Sequence, residues 1–207
     1  DFEYSSKDGS RQGWDATYAW AVKEGDASAA VTIATADPIH PNNPHYAVLE
    51  ARPGVTLQND GFDGISLKKG EKYDFSLFAR VAPGSKEGKV VVCLLDQDGR
   101  EIARSSVNVS SKEWKKQQTV LTANADVRAA VLSLQPQTVG TLHLDMISLF
   151  PQNTFKGHKN GLRIDLAQTL ADLHPRFVRF PGGCVAHGDG IDNIYDWKGS
   201  IGPLEAP

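Results

Sequence analysis

The sequence predicts a mainly β fold, in which a β-sandwich over residues 1–150 precedes a helix and a strand of an α/β unit over residues 151–207. From residue 29, short apolar runs recur at intervals of roughly 8 to 15 residues, separated by Gly, Pro, Asn and Asp, a spacing typical of sandwiches. After residue 150 the apolar positions recur at steps of three and four, which indicates a helix. The change of period therefore predicts two structural regions.

The clearest strand covers residues 73–81, where apolar and polar side chains alternate. Its odd-numbered residues should face the core, while the opposite face is polar but carries Phe78 and Arg80. Residues 89–95 (KVVVCLL) are apolar on both faces, so we expect a central strand with Cys93 as a small buried side chain. Further strands are predicted over residues 29–35, 45–51, 101–109, 115–122, 128–135 and 140–150.

A helix is predicted over residues 160–173, with Asn160 suited to cap it and Pro175 following its end. A short strand over residues 176–180 and a loop over residues 181–205 come next. One amphipathic helix and one strand cannot bury their apolar side chains or pair by themselves. We therefore expect this tail to pack on the sandwich or to need further chain, and the sequence to be a piece of a longer protein.

Composition excludes several classes of protein. With 40% hydrophobic and 23% charged residues, the chain has an ordinary globular composition. No apolar run approaches the roughly 20 residues of a membrane helix, so no membrane partner is predicted. A net charge of −3, with 22 Lys and Arg scattered along the chain, gives no basic patch for nucleic acid. Cys93 and Cys184 lie far apart in unlike contexts, which supports neither a disulfide framework nor a metal site.

The sandwich offers candidate sugar-binding side chains. Carbohydrate recognition uses aromatic rings against the C–H faces of a sugar, with polar groups for its hydroxyls. Trp14 and Trp20 lie near the start of the chain, and Phe78 and Arg80 share the polar face of one strand. The alternative is that these aromatic residues pack within the sandwich, as most aromatic residues do.

The tail offers a second set of candidates. Arg179 lies at the end of the predicted strand and Cys184 follows a Pro-Gly-Gly turn, where α/β barrels place side chains that contact substrate. The alternatives are an ion pair that braces the barrel for Arg179 and simple burial for Cys184. An acidic, glycine-spaced loop over residues 187–196 lacks the full ligand pattern of a calcium loop, so no metal site is predicted.

Three motifs of the tail resemble a known enzyme family. Residues 179–184 (RFPGGC), 195–197 (YDW) and 201–205 (IGPLE) resemble the second barrel strand and its loop in α-L-arabinofuranosidases of glycoside hydrolase family 51. Residues 160–173 resemble the preceding helix of the same enzymes. Residues 1–151 resemble a jelly-roll-like, carbohydrate-binding-like sandwich that one branch of the family carries after its first barrel strand. The tail is thus expected to be an incomplete piece of a catalytic (β/α)₈ barrel.

The resemblance implies a retaining hydrolase that removes terminal α-L-arabinofuranosyl groups and uses no cofactor. Such enzymes need two carboxylates that flank the glycosidic bond. In the family the acid/base follows an asparagine, and this sequence contains no Asn-Glu pair. We therefore expect no catalytic residue in the chain and no activity of the chain alone. By resemblance, Arg179 braces the floor of the active site, Cys184 forms a wall of the arabinose pocket, and Trp197 anchors the loop above it.

The expected partners are an arabinose-containing polysaccharide or oligosaccharide and the remainder of the barrel. The competing hypothesis is that the sandwich is a structural spacer that binds no sugar. A polymeric substrate favours secretion or the periplasm, whereas a short imported oligosaccharide would place the protein in the cytoplasm.

Overall fold

The fold is taken from a computed structural model, which describes residues 2–4, 15–23, 31–61, 63–179, 182–188, 194–196, 198, 201–203 and 205. The chain divides into two compact units, Asp1–Gln152 and Asn153–Pro207. This division lies two residues beyond the boundary predicted from the sequence.

The first unit is a sandwich of two antiparallel sheets, which confirms the predicted fold class. One sheet has the order β1-β4-β10-β7-β8, with β5 also paired to β10, and is called the six-stranded sheet. The five-stranded sheet has the order β2-β3-β11-β6-β9. The strands of the described residues are β1 Trp20–Lys23, β2 Val31–Ala34, β3 Tyr46–Ala51, β4 Thr56–Asn59, β5 Ile65–Leu67, β6 Lys72–Val81, β7 Gly88–Leu95, β8 Glu101–Val109, β9 Lys115–Thr122, β10 Val127–Pro136 and β11 Gly140–Pro151.

Alternation of side chains builds the core between the sheets. The odd-numbered residues of β6 are at most 5% exposed, as the alternating pattern predicts, and they pack against β10 and β11 residues such as Leu134 and Leu144. Strand β7 lies between β10 and β8 and is buried on both faces from Val90 to Leu94. Cys93 is fully buried there, which confirms its prediction as a small core side chain.

Three short strands, β1, β4 and β5, were not predicted. Each has only three or four residues, too few for a period of two to stand out. They form because neighbouring strands pair with them: β4 lies between β1 and the long strand β10, and β5 also pairs with β10.

In the second unit, helix α1 (Ile164–Asp172) is shorter than the predicted helix over residues 160–173. Asn160 has a φ of 52° and lies in a turn, so it does not cap the helix, and Arg163 holds the N-cap position instead. The apolar stripe of α1 is open to solvent, with Leu166 58% and Leu170 60% exposed. No helix in the described ranges is long and apolar enough to cross a membrane.

The predicted strand over residues 176–180 is wrong for the four of its residues that the structure describes. Residues 176–179 have no strand pairing, because the described chain places no neighbouring strand beside them. The predicted loop over residues 181–205 contains a short helix, α2 (Gly183–His187).

Candidate functional site

Phe78 and Arg80 lie on the outer face of the five-stranded sheet, but both side chains are covered. Phe78 is 9% exposed and Arg80 is 7% exposed, so neither presents the open polar face expected from the alternation of β6. The ammonium of Lys116 lies 5.6 Å from the centre of the Phe78 ring. Neighbouring side chains and a loop therefore occupy the space above both residues.

Arg80 is the centre of a group that we call the Arg80 cluster, formed with Asp37, Tyr46, Trp114 and His143. Its guanidinium lies 4.6 Å from the centre of the Trp114 ring and 5.4 Å from that of Tyr46. Its Nε donates a hydrogen bond to His143 Nδ1 at 3.0 Å, and its Nη1 donates to the Asp37 carboxylate. The members of the Arg80 cluster are thus joined to Arg80 by hydrogen bonds and ring contacts within the protein.

The loop between β2 and β3 is held onto this face by the same group. The Trp114 indole N–H donates to the Asp37 carbonyl at 3.1 Å, and the Tyr46 hydroxyl donates to the Ala36 carbonyl at 2.7 Å. Burial, and then the neighbouring Arg80 guanidinium, lower the pKa of His143. His143 is therefore neutral at neutral pH and can accept the Arg80 hydrogen bond.

A buried carboxylate lies beside Phe78 on the same face. Asp145 is fully buried and accepts hydrogen bonds from the Asn43 amide at 2.8 Å and from the backbone N–H of Met146 at 2.7 Å. Burial raises the pKa of Asp145 to about 6. Met146 has a φ of 47° within an irregularity of β11, which turns its N–H toward the carboxylate.

The outer face of the six-stranded sheet is different, because it contains an open recess of about 370 Å³. We call this the amide recess, since three glutamines contribute to its wall. Its lining consists of Lys23, Gly54, Val55, Thr56, Gln58, Leu95, Gly99, Glu101, Gln135, Pro136 and Gln137.

Strand register explains how these residues meet. Lys23 is opposite Thr56 in the β1–β4 pair, and Gln58 is opposite Ser133 in the β4–β10 pair. Gln135 follows Ser133 by two residues, so both side chains share the outer face. The Gln135 amide donates to the fully buried Ser133 hydroxyl at 3.5 Å. Residues distant in sequence thus form one polar wall.

Glu101 is paired at the other side of the amide recess. Its carboxylate accepts a hydrogen bond from Arg104 at 2.7 Å, and both side chains are about half exposed. Burial, followed by the nearby Glu101 charge, raises the pKa of the Cys93 thiol to about 11. Cys93 therefore stays protonated at neutral pH and is no nucleophile. The recess can bind polar ligands, but it offers no group for covalent chemistry.

Trp20 lies at a second opening, between the two sheets. It is partly buried against the core, and its ring centre is 5.6 Å from that of Phe2. A recess of about 290 Å³ adjoins it, lined by Trp20, Asn59, Ile65, Leu132, Ile147, Ser148 and Leu149. The structure thus separates Trp20 from Phe78 and Arg80 rather than bringing the three predicted residues together.

In the second unit, Arg179 and Cys184 lie close in the chain and both are exposed. A Cβ on Gly183 would lie 3.4 Å from Arg179 Nη2, which places the guanidinium beside the start of α2. Trp14 and Trp197, the other predicted site residues, lie outside the described residues. In the described part of the chain, no three His, Cys, Asp or Glu side chains are arranged to hold a metal ion.

The sequence did not single out the residues of the amide recess. Glutamine, threonine and lysine are ordinary surface residues, and positions 23, 58, 101 and 135 meet only through strand pairing. The members of the Arg80 cluster other than Arg80 were missed as well. His143 gave a weak signal, because it is polar between the apolar residues Leu142 and Leu144.

Two known families match separate parts of the chain. The carbohydrate-binding domain family matches residues 1–141, and the α-L-arabinofuranosidase 1 domain matches residues 169–206. The arabinose-bound structure of the MgGH51 α-L-arabinofuranosidase superposes with a TM-score of 0.81 at 29% identity, covering 92% of this chain and 32% of that chain.

Curated relatives carry the same description. An extracellular exo-α-L-arabinofuranosidase of Streptomyces chartreusis is 33% identical, over 99% of this chain and 24% of the relative. Alpha-L-arabinofuranosidase 1 of Arabidopsis thaliana is 35% identical, over 73% of this chain and 22% of the relative. The chain thus spans about a quarter of the length of these relatives. Over residues 1–141 the chain belongs to the carbohydrate-binding domain family, and along nearly its whole length it is homologous to α-L-arabinofuranosidases of glycoside hydrolase family 51.

Proposed function

We propose that the sandwich binds an oligosaccharide or a segment of polysaccharide in the amide recess. The observation that carries this proposal is the recess itself, an opening of about 370 Å³ on the outer face of the six-stranded sheet. Small-molecule sites commonly have volumes of about 300 to 1,000 Å³. Membership of the carbohydrate-binding domain family supports a saccharide as the ligand.

The lining suits sugar hydroxyls, which both donate and accept hydrogen bonds. The amides of Gln58 and Gln135 offer both functions, the Lys23 ammonium donates, and the Glu101 carboxylate accepts. In the proposed complex, these side chains replace the water molecules that hydrate the hydroxyls of the free sugar. Since each such exchange gains little net free energy, several contacts must act together to give measurable affinity.

We propose further that the whole protein removes terminal α-L-arabinofuranosyl groups, and that the sandwich binds arabinose-containing polysaccharides such as arabinoxylan or arabinan. The arabinofuranosidase relatives support this activity, for which a retaining mechanism needs an acid/base and a nucleophile about 5 to 5.5 Å apart. In this proposal Arg179, Cys184 and Trp197 belong to the arabinose pocket of the completed barrel, where none of them is the acid/base or the nucleophile.

Secretion or export to the periplasm fits a polymeric substrate. The relative from Streptomyces chartreusis is described as extracellular, which supports export of this protein too. Import of a short oligosaccharide would instead make a cytoplasmic location sufficient.

The test is calorimetric titration of the 207-residue chain with oligosaccharides from arabinoxylan and arabinan. We expect saturable binding, and Gln135→Ala should weaken it about fivefold to tenfold because one amide partner is lost. Gln118→Ala, an exposed glutamine on β9 of the other sheet, is the matched control and should change nothing. Absence of binding at millimolar ligand would favour the spacer hypothesis. Equal losses from both substitutions would place binding elsewhere on the sandwich.

A further inference from the structure

We infer that the amide recess selects saccharides that carry a carboxylate, such as a uronic acid, and that Lys23 is the residue that recognises this group. The inference rests on the proposed function and names the class of ligand for the same site. It follows from the charges of the recess, from the position of Lys23, and from the kinds of side chain in the lining.

The described charges of the recess are one lysine and one paired glutamate. Lys23 and Glu101 are its ionisable lining residues in the described part of the chain. The Glu101 carboxylate is already bonded to Arg104 at 2.7 Å, so that pair is close to neutral. No carboxylate among the described residues lies within ion-pair distance of Lys23. Among the described residues, Lys23 therefore supplies a positive charge that no carboxylate pairs with.

The position of Lys23 directs this charge toward the ligand. Strand β1 ends at Lys23, whose backbone carbonyl accepts a hydrogen bond from the Thr56 hydroxyl at 3.1 Å. The pairing of Lys23 with Thr56, and of Ala21 with Gln58, puts the Lys23, Thr56 and Gln58 side chains on one face. Because Gln58 lines the same recess, its amide is available to donate a second hydrogen bond to a bound carboxylate.

The lining side chains strengthen the case for a charged ligand. No aromatic ring is among the described residues that line the recess, so these residues offer no stacking on a sugar face. Affinity must then come from hydrogen bonds, and a bond between ionised partners is about twice as strong as a neutral one. A carboxylate on the sugar is the group that gains most from this lining.

The experiment compares two ligands that differ at one group, using the full chain. The first is a xylo-oligosaccharide that carries a glucuronic acid, and the second is the same compound with its carboxyl reduced to an alcohol. By calorimetry in low salt, we expect the acid to bind about threefold to tenfold more tightly, since the ammonium is solvent-exposed. Raising NaCl from about 0.01 M to about 1 M shortens the Debye length from about 30 Å to about 3 Å and should reduce this preference.

Substitutions assign the preference to one residue. Lys23→Gln should abolish it, so that the acid and its reduced counterpart bind the variant with equal affinity, while Lys23→Arg should retain it. Lys72→Gln removes the same charge from an exposed position of β6 and should have no effect, which controls for net charge.

Three results would overturn the inference: equal affinities of the native chain for the two ligands, a preference that survives Lys23→Gln, or a preference lost equally in Lys72→Gln. Equal binding of both ligands would leave the proposed function standing. If neither of these ligands binds, and the arabinose-containing oligosaccharides do not bind either, the proposed function is wrong as well.

Discussion

The two outer faces of the sandwich carry similar kinds of side chain and use them in opposite ways. On the five-stranded sheet, Arg80 contacts two aromatic rings, a histidine and a carboxylate of the same chain. On the six-stranded sheet, Lys23 and the glutamines line an open recess. Polar and charged side chains that can bind a ligand can equally bind one another within the protein. Residue type alone therefore does not identify a binding face.

The difference begins in the connections between strands. The loop that follows β2 folds back onto the five-stranded sheet, where Asp37 supplies both a carboxylate to Arg80 and a carbonyl to Trp114. At the amide recess, the tight turn from β7 to β8 bonds mainly to itself, through Asp96 and the backbone N–H of Arg100. One connection covers its sheet, and the other leaves its sheet open.

The largest effect should come from breaking the closed face at its centre. Arg80→Ala removes two cation–π contacts, the hydrogen bond to His143 and the ion pair with Asp37, all made by a guanidinium that is itself buried, so we expect a loss of about 3 kcal/mol in the free energy of unfolding. Urea denaturation measures it. Arg104→Ala on the open face is the control and should cost far less, because its ion pair is half exposed. Similar losses for both would contradict the contrast between the faces.

A second test of the closed face uses pH. Burial raises the pKa of Asp145 to about 6, above its value in an unfolded chain, so the folded protein binds the proton more tightly. Stability from this group is present below about pH 4 and is lost as the pH rises to about 6, a change of about 2–3 kcal/mol.

Asp145→Asn should remove this loss of stability with rising pH, because an amide does not ionise. The Asn43 amide can turn to accept a hydrogen bond from the new side chain. Unfolding is followed in urea from about pH 4 to pH 7 with a chelator present, so that metal binding does not contribute. Glu113→Gln, at an exposed position, is the control and should keep the native pH dependence. His143, whose pKa is lowered, contributes the opposite pH dependence in both chains, so the test is the difference between them. An Asp145→Asn chain with the same pH dependence as the native chain would contradict the assignment to Asp145.

The smallest effect is expected at the edge of the closed face. Lys116→Gln removes the ammonium that lies 5.6 Å from the centre of the Phe78 ring. An exposed cation–π contact is worth about 0.5–1 kcal/mol, so the urea midpoint should fall slightly. A loss as large as that of Arg80→Ala would mean that Lys116, rather than the Arg80 cluster, keeps this face closed.

Much of the sandwich could be predicted because, in its long strands, the order of apolar and polar residues shows which faces are buried. Alternation in β6 and the continuous apolar run of β7 specify which side chains are buried, and both predictions are confirmed. The short strands β1, β4 and β5 depend on neighbours that only the folded chain supplies. The segment over residues 176–179 is the converse case: its residues are strand-like, but no strand of the described chain pairs with them.

The candidate site was less predictable than the fold. Aromatic residues drew attention to Trp20 and Phe78, yet both pack partly or almost wholly against other protein groups. The amide recess combines Lys23, Gln58 and Gln135, none of which is unusual in its own stretch of sequence. Such a site depends on register, which places the end of β1 beside β4 and β4 beside β10.

The open stripe of helix α1 has a practical consequence for handling the chain in solution. Leu166, Leu170 and Leu173 are each more than half exposed, and Phe177 and Val178 farther along are more than 80% exposed. Contiguous apolar surface of this kind promotes self-association. Light scattering should therefore detect aggregates that increase with protein concentration, and a chain shortened to Gln152 should stay monodisperse and be the better choice for crystallisation.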